Sequence, residues 1–214
     1  MNNLSKKILS FFKNKKKPIY LHEPSIDKKD INEVSKCISS KMISSKGNYV
    51  KKFEEKIKKF TKSKYCTAVS NGTVGIFLSL KCLDIKEQDE VLVPAITFVA
   101  TANAVRHCGA VPHFVDIKLD HLSIDVDKLD KYLQAISIKK NGYCFNKKTN
   151  RYIKAIIPVH IFGHSCDIDS IIKISKKYNF KIVEDATEAL GSFYKNKHLG
   201  NYGDLGVFSF NGNK

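Results

Sequence analysis

Residues 155–186 have the sequence AIIPVHIFGHSCDIDSIIKISKKYNFKIVEDA, and their pattern decides the fold class. Short apolar runs predict strands over Ala155–Val159 and Lys181–Glu184, and isoleucines at helical spacing predict a helix over Ile168–Tyr178. A strand, a helix and a second strand in this order are typical of a parallel βαβ unit. In sheets built from such units, ligands bind beyond the carboxyl ends of the strands.

The alternation of strands and helices continues on both sides of this unit. Further strands are predicted over Tyr65–Val69, Glu90–Val93, Val111–Val115 and Gly206–Phe210, and further helices over Thr73–Leu83, Phe98–Cys108 and Val126–Ile136. The polar run Asn146–Asn150 predicts a turn between two short strands of a surface hairpin. The pattern indicates the α/β fold class, as a three-layer α/β/α sandwich around a mostly parallel sheet.

The N-terminal region contains helices but no predicted strand. Residues 1–23 form a basic tail, in which an apolar helical face predicts a short surface helix rather than a membrane anchor. The apolar residues of that face are Leu4, Ile8, Leu9 and Phe12. Asp27 is placed to cap a second helix that carries Ile31, Val34 and Ile38, and a third helix is predicted near Val50–Thr61.

The composition limits the location of the protein and its metal chemistry. Hydrophobic residues make up 43% of the 214 residues, and no apolar run approaches the roughly 18 residues of a membrane span. Six cysteines without a Cys-x-x-Cys pair indicate reduced thiols, so we expect a cytoplasmic protein. His160 and His164 are four residues apart, but Pro158 and Gly163 argue against a helix that would bring them together, and no metal site is predicted.

The net charge of +16 admits two interpretations. A basic protein can bind nucleic acid, or it can have a lysine-rich surface without such a partner. Only Arg106 and Arg151 are arginines, whereas proteins that recognise nucleic acids usually use arginine for bidentate contacts. The lysines are also spread along the chain, so we expect no nucleic-acid partner, although the charge would attract a phosphate-bearing substrate.

Four polar features follow predicted strands, and each also has an ordinary structural explanation. Residues Ser70–Thr73 open a helix, where backbone N–H groups could bind a phosphate or the turn could simply cap the helix. Phe98 could stack on a flat ligand or belong to the core. Asp185 could face a cationic ring nitrogen or cap a helix. Lys214 could hold a ligand or be one more exposed lysine.

Together, the four features match what pyridoxal phosphate requires, namely a phosphate site, a stacking face, an acid and a lysine. With its motifs in this order, the sequence resembles the DegT/StrS family of nucleotide-sugar aminotransferases, a branch of the fold-type I pyridoxal phosphate enzymes. The matching segments are Ser70–Thr73, Pro94–Thr101, Pro158–His164, Glu184–Ala186 and Gly203–Lys214. The resemblance extends from about Pro24 to Lys214.

The resemblance implies a role for each matching residue. Gly72 and Thr73 correspond to the phosphate-binding turn, and Ser209 corresponds to the phosphate-binding serine. Phe98 corresponds to the aromatic residue that stacks on the cofactor ring, and Asp185 to the acid that keeps the pyridine nitrogen protonated. Lys214 corresponds to the Schiff-base lysine and is the implied catalytic residue. Glu188 stands where many members have Gln or His near the phenolic oxygen of the cofactor.

The resemblance also implies an activity and a domain organisation. It implies transfer of an amino group from an amino acid, with glutamate as the expected donor, to a keto group of a nucleotide-linked deoxy sugar for polysaccharide or glycan biosynthesis. The ending Phe210–Lys214 is most similar to enzymes that aminate 4-keto-6-deoxy sugars on UDP, including those of legionaminic acid synthesis. Residues 24–214 would be part of the cofactor-binding large domain of a homodimeric protein, and the C-terminal small domain would be absent from this chain.

Three other functions remain open from the sequence. A sugar dehydratase of the same family would have the same fold, but such members have a histidine in place of the lysine at position 214. A non-catalytic regulatory or binding protein could also use this fold. A basic nucleic-acid-binding module is the third alternative, but no base-reading or RNA-stacking motif supports it.

Overall fold

The computed structural model describes residues 3–12, 24–44, 47–212 and 214. In chain order, its helices are α1 (Asn3–Phe11), α2 (Lys28–Ser39), α3 (Asn48–Thr61), α4 (Gly72–Cys82), α5 (Val99–His107), α6 (Val126–Ile136) and α7 (Ile168–Tyr178). Its strands are β1 (Glu90–Pro94), β2 (Val111–Val115), β3 (Ile117–Lys118), β4 (Ser123–Ile124), β5 (Ser137–Lys140), β6 (Tyr143–Asn146), β7 (Arg151–Ile156), β8 (Lys181–Asp185), β9 (Phe193–Tyr194), β10 (Lys197–His198) and β11 (Leu205–Val207). Most of the predicted basic tail, residues 1–2 and 13–23, lies outside the described residues.

Five parallel strands form the centre of the molecule in the order β11-β8-β7-β1-β2. Val91 of β1 lies beside Pro112 on one side and Ala155 on the other, and Val183 of β8 lies beside Leu205 of β11. The predicted hairpin is present as β6 and β7, and β5 extends it through antiparallel pairs with β6. The sheet is therefore mostly parallel, as predicted, and its parallel strands end at one common edge.

Helices cover both faces of the sheet and enclose two apolar cores. One core lies beneath α4 and α5 and contains Ile76, Leu80, Val91, Val93, Val105, Ile157 and Val183. The other lies beneath α6 and α7 and contains Leu92, Leu129, Leu133, Ile156, Ile171 and Ile182. Successive side chains of a strand point to opposite faces, which is why neighbouring residues of β1 and β8 enter different cores. The predicted three-layer α/β/α sandwich is confirmed.

Several helices begin and end at residues that the sequence marks. The carboxylate of Asp27 accepts hydrogen bonds from the backbone N–H groups of Lys29 and Asp30, so it caps α2 as predicted. Asp167 caps α7, and Asn179 ends that helix in the left-handed conformation, with φ 59°. The helices α6 and α7 have the predicted bounds, α4 and α5 differ from prediction by one residue at each end, and α3 begins two residues earlier.

The predicted strand Tyr65–Val69 is wrong. These residues pair with no strand among the described residues. The backbone N–H of Ala68 instead donates to the carboxylate of Glu54 at 2.8 Å, and the carbonyl of Tyr65 accepts from the Ser63 hydroxyl. Side chains from the preceding region therefore satisfy backbone groups that a strand would use in a ladder.

Two other predicted strands of the parallel sheet also differ in extent from the observed strands. The strand predicted over Ala155–Val159 begins earlier, as β7, and ends at Ile156, after which only Val159 forms an isolated bridge to Asp185. The strand predicted over Gly206–Phe210 is shortened to β11. Residues after β11 leave the sheet because their rings pack elsewhere: Phe208 packs edge-on against His198, and Phe210 packs edge-on against Phe53.

The described residues include no helix that is both long and apolar enough to cross a membrane. The six cysteines are free thiols in this structure. Burial raises the pKa of the Cys108, Cys144 and Cys166 thiols, which keeps them protonated and unreactive. No cluster of three or more His, Cys, Asp or Glu residues in the described part of the chain could hold a metal ion.

Candidate active site

One cleft lies beyond the carboxyl ends of the parallel strands, with a volume of about 1180 Å³. All seven residues that the sequence singles out line it: Gly72, Thr73, Phe98, Asp185, Glu188, Ser209 and Lys214. They come from four separate segments of the chain, and the parallel strands bring those segments to one edge. The cleft is larger than the roughly 300–1,000 Å³ of a typical small-ligand pocket, so it has room for more than one small molecule.

The carboxylate of Asp185 lies at the end of β8 and is almost fully buried. Its Oδ2 accepts a hydrogen bond from the Thr101 hydroxyl at 2.6 Å, and its Oδ1 accepts from the Thr187 hydroxyl at 2.7 Å. Because the Thr101 proton goes to Asp185, Thr97 must donate to Thr101 across their 2.7 Å contact. No α-helix begins after Asp185, so this residue is not a helix cap, and its carboxylate is instead oriented by two hydroxyl groups.

The start of α4 and the segment after β11 form a narrow recess. A Cβ atom added to Gly72 would lie 3.2 Å from the methyl group of Thr187 and 3.5 Å from Cβ of Ser209. A larger residue at this position would require Thr187 to move by a few tenths of an ångström. Asn71 caps α4 by accepting the N–H of Val74, so the cap explanation holds for Asn71. The N–H groups of Gly72 and Thr73 are in the first turn, where no intrahelical carbonyl can accept them and anions bind.

Lys214 extends into the cleft and is not an exposed surface lysine. Its Nζ donates to Oε1 of Glu188 at 2.8 Å, and its side chain is only 16% exposed. The other carboxylate oxygen of Glu188 accepts the backbone N–H of Phe162 at 2.9 Å. The same Nζ lies 5.7 Å from the ring centre of Phe98. Phe98 is 72% exposed, which excludes a core role for it.

A buried hydrogen-bond network beside the cleft was not predicted from the sequence. Glu184 and His160 are both fully buried, and their side chains meet at 2.9 Å. The backbone N–H of Cys166 donates to Nδ1 of His160, so the proton of the ring lies on Nε2 and is donated to Glu184. Glu184 also accepts the backbone N–H groups of Gly200 and Gly203. Glu184 therefore holds the turn that precedes β11 and the segment carrying Ser209.

Burial and hydrogen bonding act in opposite directions on Glu184. Burial raises the pKa of its carboxyl group, whereas the hydrogen bonds from His160 and from the backbone N–H groups lower it. The net effect is a pKa below the ordinary value, so the carboxylate stays charged inside the protein. The sequence signal for this pair was a histidine after Pro158-Val159 and a second carboxylate beside Asp185, but neither showed that the two would meet.

Thr101 and Thr187 were also missed as members of the site. Both lie within the segments that carry the resemblance or directly after them, but a hydroxyl residue next to a helix or turn has many ordinary roles. Their contacts with Asp185 depend on the pairing of distant segments. The resulting site contains an anion recess, a buried carboxylate, an exposed aromatic face and a partly buried lysine paired with a carboxylate.

This combination of groups agrees with comparisons with known proteins. Residues 24–214 match the model of the DegT/DnrJ/EryC1/StrS aminotransferase family. The chain belongs to this family. The DegT/DnrJ/EryC1/StrS match spans every segment that lines the cleft, and it begins after residues 1–23, so α1 lies outside it.

Curated relatives in the family include enzymes that act on sugars. The chain is 41% identical over 198 residues to GDP-perosamine synthase of Escherichia coli O157:H7, covering 92% of this chain and 50% of that protein. It is 36% identical over 191 residues to UDP-4-amino-4,6-dideoxy-N-acetyl-beta-L-altrosamine transaminase of Campylobacter jejuni, covering 89% of this chain and 46% of that protein. The chain spans about half the length of the curated relatives it matches.

A solved structure has the same fold. The Streptococcus pneumoniae protein Spr1654 has been solved in a PLP form, and this chain superimposes on it with a TM-score of 0.78 at 30% identity. The superposition covers 92% of this chain and 50% of that one. The predicted fold-type I large-domain architecture is therefore confirmed, and the predicted membership of the sugar aminotransferase family is confirmed with it.

Proposed function

We propose that the protein transfers an amino group from an amino acid to a keto group of a nucleotide-linked deoxy sugar, with pyridoxal phosphate as its cofactor. The observation that carries this proposal is the convergence of Lys214, Asp185, Phe98 and the Gly72–Ser209 recess on one cleft. The family and the sugar-related names of its relatives support the substrate class. The product would enter polysaccharide or glycan biosynthesis.

The residues present fit the cofactor. The recess at Gly72 and Ser209 would hold the phosphate, with N–H groups of Gly72 and Thr73 and the Ser209 hydroxyl as donors. Phe98 would stack on the ring, and Asp185 would face its nitrogen. Glu188 would lie near the phenolic oxygen. When bound, pyridoxal phosphate supplies an electron sink for the carbon that carries the transferred amino group.

Different residues of this chain would orient the cofactor and transfer protons. Asp185, oriented by Thr101 and Thr187, would keep a proton on the facing ring nitrogen because a buried anion stabilises the nearby cation. Lys214 would bind the cofactor aldehyde and, once released, would carry a proton at Nζ between donor and cofactor carbons. Glu188 would position Lys214, as it does through the 2.8 Å contact.

The identity of the sugar nucleotide, the donor and the assembly are the finer parts of the proposal. Relatives are named for GDP- and UDP-linked sugars, and the UDP subgroup expected from the sequence is among them. We propose a 4-keto-6-deoxy sugar as the acceptor, glutamate as the donor, and a cytoplasmic homodimer as the working form. Lys214 disfavours the dehydratase alternative, whose members have histidine at this position.

The test is a spectroscopic titration of the 214-residue chain with pyridoxal phosphate. We expect a near-visible absorbance band of lysine-bound cofactor that disappears in Lys214→Ala and persists in Lys118→Ala, a matched change on the surface. Addition of glutamate should bleach the band, and a 4-keto-6-deoxy sugar on UDP or GDP should restore it. A band that survives in Lys214→Ala would refute the assignment of the lysine, and binding without bleaching would favour a non-catalytic protein.

A further inference from the structure

The helix α1 is not explained by the family fold. It lies before residue 24, where the family match begins, and it has no buried residue. A helix is present at the surface over Asn3–Phe11, with Phe12 in a turn after its end, and the sequence alone favoured a role for it without a membrane. Neither core of the sheet contains a residue of α1, so the packing of the fold does not explain the apolar side chains of this helix.

Three apolar side chains of α1 share one face, whereas Leu9 points away from it and Phe12 lies beyond the helix, which corrects the face predicted from the sequence. Leu4, Ile8 and Phe11 are spaced by four and three residues, which places them on one side of a helix. They are 65%, 49% and 79% exposed, respectively. Lys6 and Ser10 are four residues apart and lie on the opposite side. The helix is therefore amphipathic, with an apolar side that is open to solvent.

The charged side chains in and around α1 are all basic. Residues 1–17 contain lysines at positions 6, 7, 13, 15, 16 and 17 and no acidic residue. An amphipathic helix combined with clustered lysines binds membrane surfaces that contain anionic lipids, because apolar burial and electrostatic attraction act together. The helix α2 offers a contrast, since its exposed Ile31, Val34 and Ile38 are accompanied by Asp30 and Glu33.

We propose that α1 docks the protein on the surface of a membrane that contains anionic lipids. Leu4, Ile8 and Phe11 enter the boundary between headgroups and acyl chains, while Lys6 and Lys7 approach lipid phosphates. The nine-residue helix is too short to span the bilayer, so it lies in the plane of the surface. Nucleic acid would use the lysines but would leave the apolar side of α1 exposed.

A tryptophan reporter tests this docking directly, because the chain contains no tryptophan. In Phe11→Trp, we expect a blue shift of the emission on mixing with phosphatidylcholine vesicles that contain phosphatidylglycerol, and no shift with phosphatidylcholine alone. Val34→Trp is the matched control, since Val34 is 60% exposed on the apolar side of α2. No shift in Phe11→Trp, or an equal shift in both variants, would overturn the proposal.

Vesicle sedimentation then separates the apolar contribution from the charge contribution. Leu4→Ser/Ile8→Ser should abolish binding, and Lys6→Ser/Lys7→Ser should weaken it about tenfold or more, given the typical attraction of a lysine near an anionic surface. Lys28→Ser/Lys29→Ser on α2 should leave binding unchanged. Since all these side chains are exposed, the variants should fold like the parent. Binding of the parent protein to DNA but not to these vesicles would favour nucleic acid and refute the membrane proposal.

Discussion

Thr187 connects two parts of the candidate site that come from distant segments of the sequence. Its hydroxyl donates to Oδ1 of Asp185, while its methyl group lies 3.2 Å from the position that a Cβ on Gly72 would occupy. One side chain therefore fixes the carboxylate that would face the ring and closes the recess that would hold the phosphate. A threonine suits this position because its hydroxyl and methyl groups branch from one carbon with a restricted rotamer.

The first prediction concerns Asp185. In Asp185→Asn, the side chain keeps its size and its amide oxygen can still accept one threonine hydroxyl, but the negative charge is lost. A hydrogen bond to a charged group contributes about 1.5–3 kcal/mol, so pyridoxal phosphate should bind about 10–100-fold more weakly. The measurement is an absorbance titration, with Asp127→Asn on the exposed side of α6 as control. Unchanged affinity would mean that Asp185 does not face the ring nitrogen.

The second prediction concerns Glu184 and acid stability. The folded-state pKa of Glu184 is lower than its ordinary value of 4.5, which approximates the unfolded state. The stabilisation from this lowered pKa is complete above about pH 4.5 and is lost as the pH falls through the folded-state pKa. In Glu184→Gln, we expect a lower melting temperature at neutral pH and a shallower decrease of stability below pH 4.5.

The control for this acid profile is Glu87→Gln, which changes an exposed carboxylate. Melting temperatures measured from neutral to acid pH should show the parent and Glu87→Gln with parallel profiles. If the pH profile of the melting temperature of Glu184→Gln is also parallel to that of the parent, the buried carboxylate is not the cause of the acid sensitivity. Because Glu184 holds the N–H groups of Gly200 and Gly203, its loss should also loosen the turn before β11.

At the scale of elements, the distance between α4 and β11 depends on Gly75. A Cβ atom at this position would lie 2.7 Å from Cγ1 of Val207, too close for any side chain without movement. Val207 is β-branched and buried, so its methyl group cannot turn away easily. This close contact brings the start of α4 to the segment after β11, and it is what places Gly72 beside Ser209.

The third prediction is a double-mutant cycle across this contact. Gly75→Ala should destabilise the protein because overpacking typically costs about 1–3 kcal/mol. The higher helix propensity of alanine offsets roughly 1 kcal/mol of this cost. In a Val207→Ala background, the same change should be neutral or stabilising because the opposing methyl groups are gone. Urea unfolding measures each free energy, and Gly212→Ala, with no close contact, is the control. Additive effects would contradict a direct contact.

The elements themselves were largely predictable because their signals are local. Apolar residues at helical spacing and capping residues give α6 and α7 their bounds, and short apolar runs predict β1, β2 and β8 within a residue. The strand predicted over Tyr65–Val69 failed because local β propensity cannot reveal that Glu54 takes a backbone N–H. The predicted end of β11 was wrong because Phe208 and Phe210 pack against aromatic side chains elsewhere in the molecule.

At the scale of the whole molecule, the sequence predicts the α/β class but not the pairing of strands. The βαβ pattern of residues 155–186 predicts that β7 and β8 are parallel, yet it does not predict that β1 pairs with β7. The seven candidate site residues were named from motifs, and the sheet brings them to one cleft. The buried Glu184–His160 pair was not predictable, because it depends on the approach of segments that only tertiary packing defines.

The fourth prediction concerns the stability of the whole molecule. Because the candidate site residues come from segments across the chain, an unfolded chain does not assemble the cofactor site. Pyridoxal phosphate at about a hundredfold above its dissociation constant should therefore add about 2.7 kcal/mol and raise the melting temperature by roughly 5–10 °C. Differential scanning fluorimetry measures this, and the shift should shrink in Asp185→Asn at the same concentration. An unchanged melting temperature at saturating absorbance would contradict a site built from the folded sheet.

The strand order also has a consequence for how the protein is made. Read from one edge, the parallel strands are β2, β1, β7, β8 and β11, so each strand after the first pair is added at the same growing edge in the order of synthesis. Chains fold from the N-terminus as they leave the ribosome. The sheet can therefore assemble strand by strand during translation, without displacing earlier pairs. Asp185 ends β8, and Ser209 and Lys214 follow β11, so the candidate cofactor site can form only after these two strands have joined the sheet.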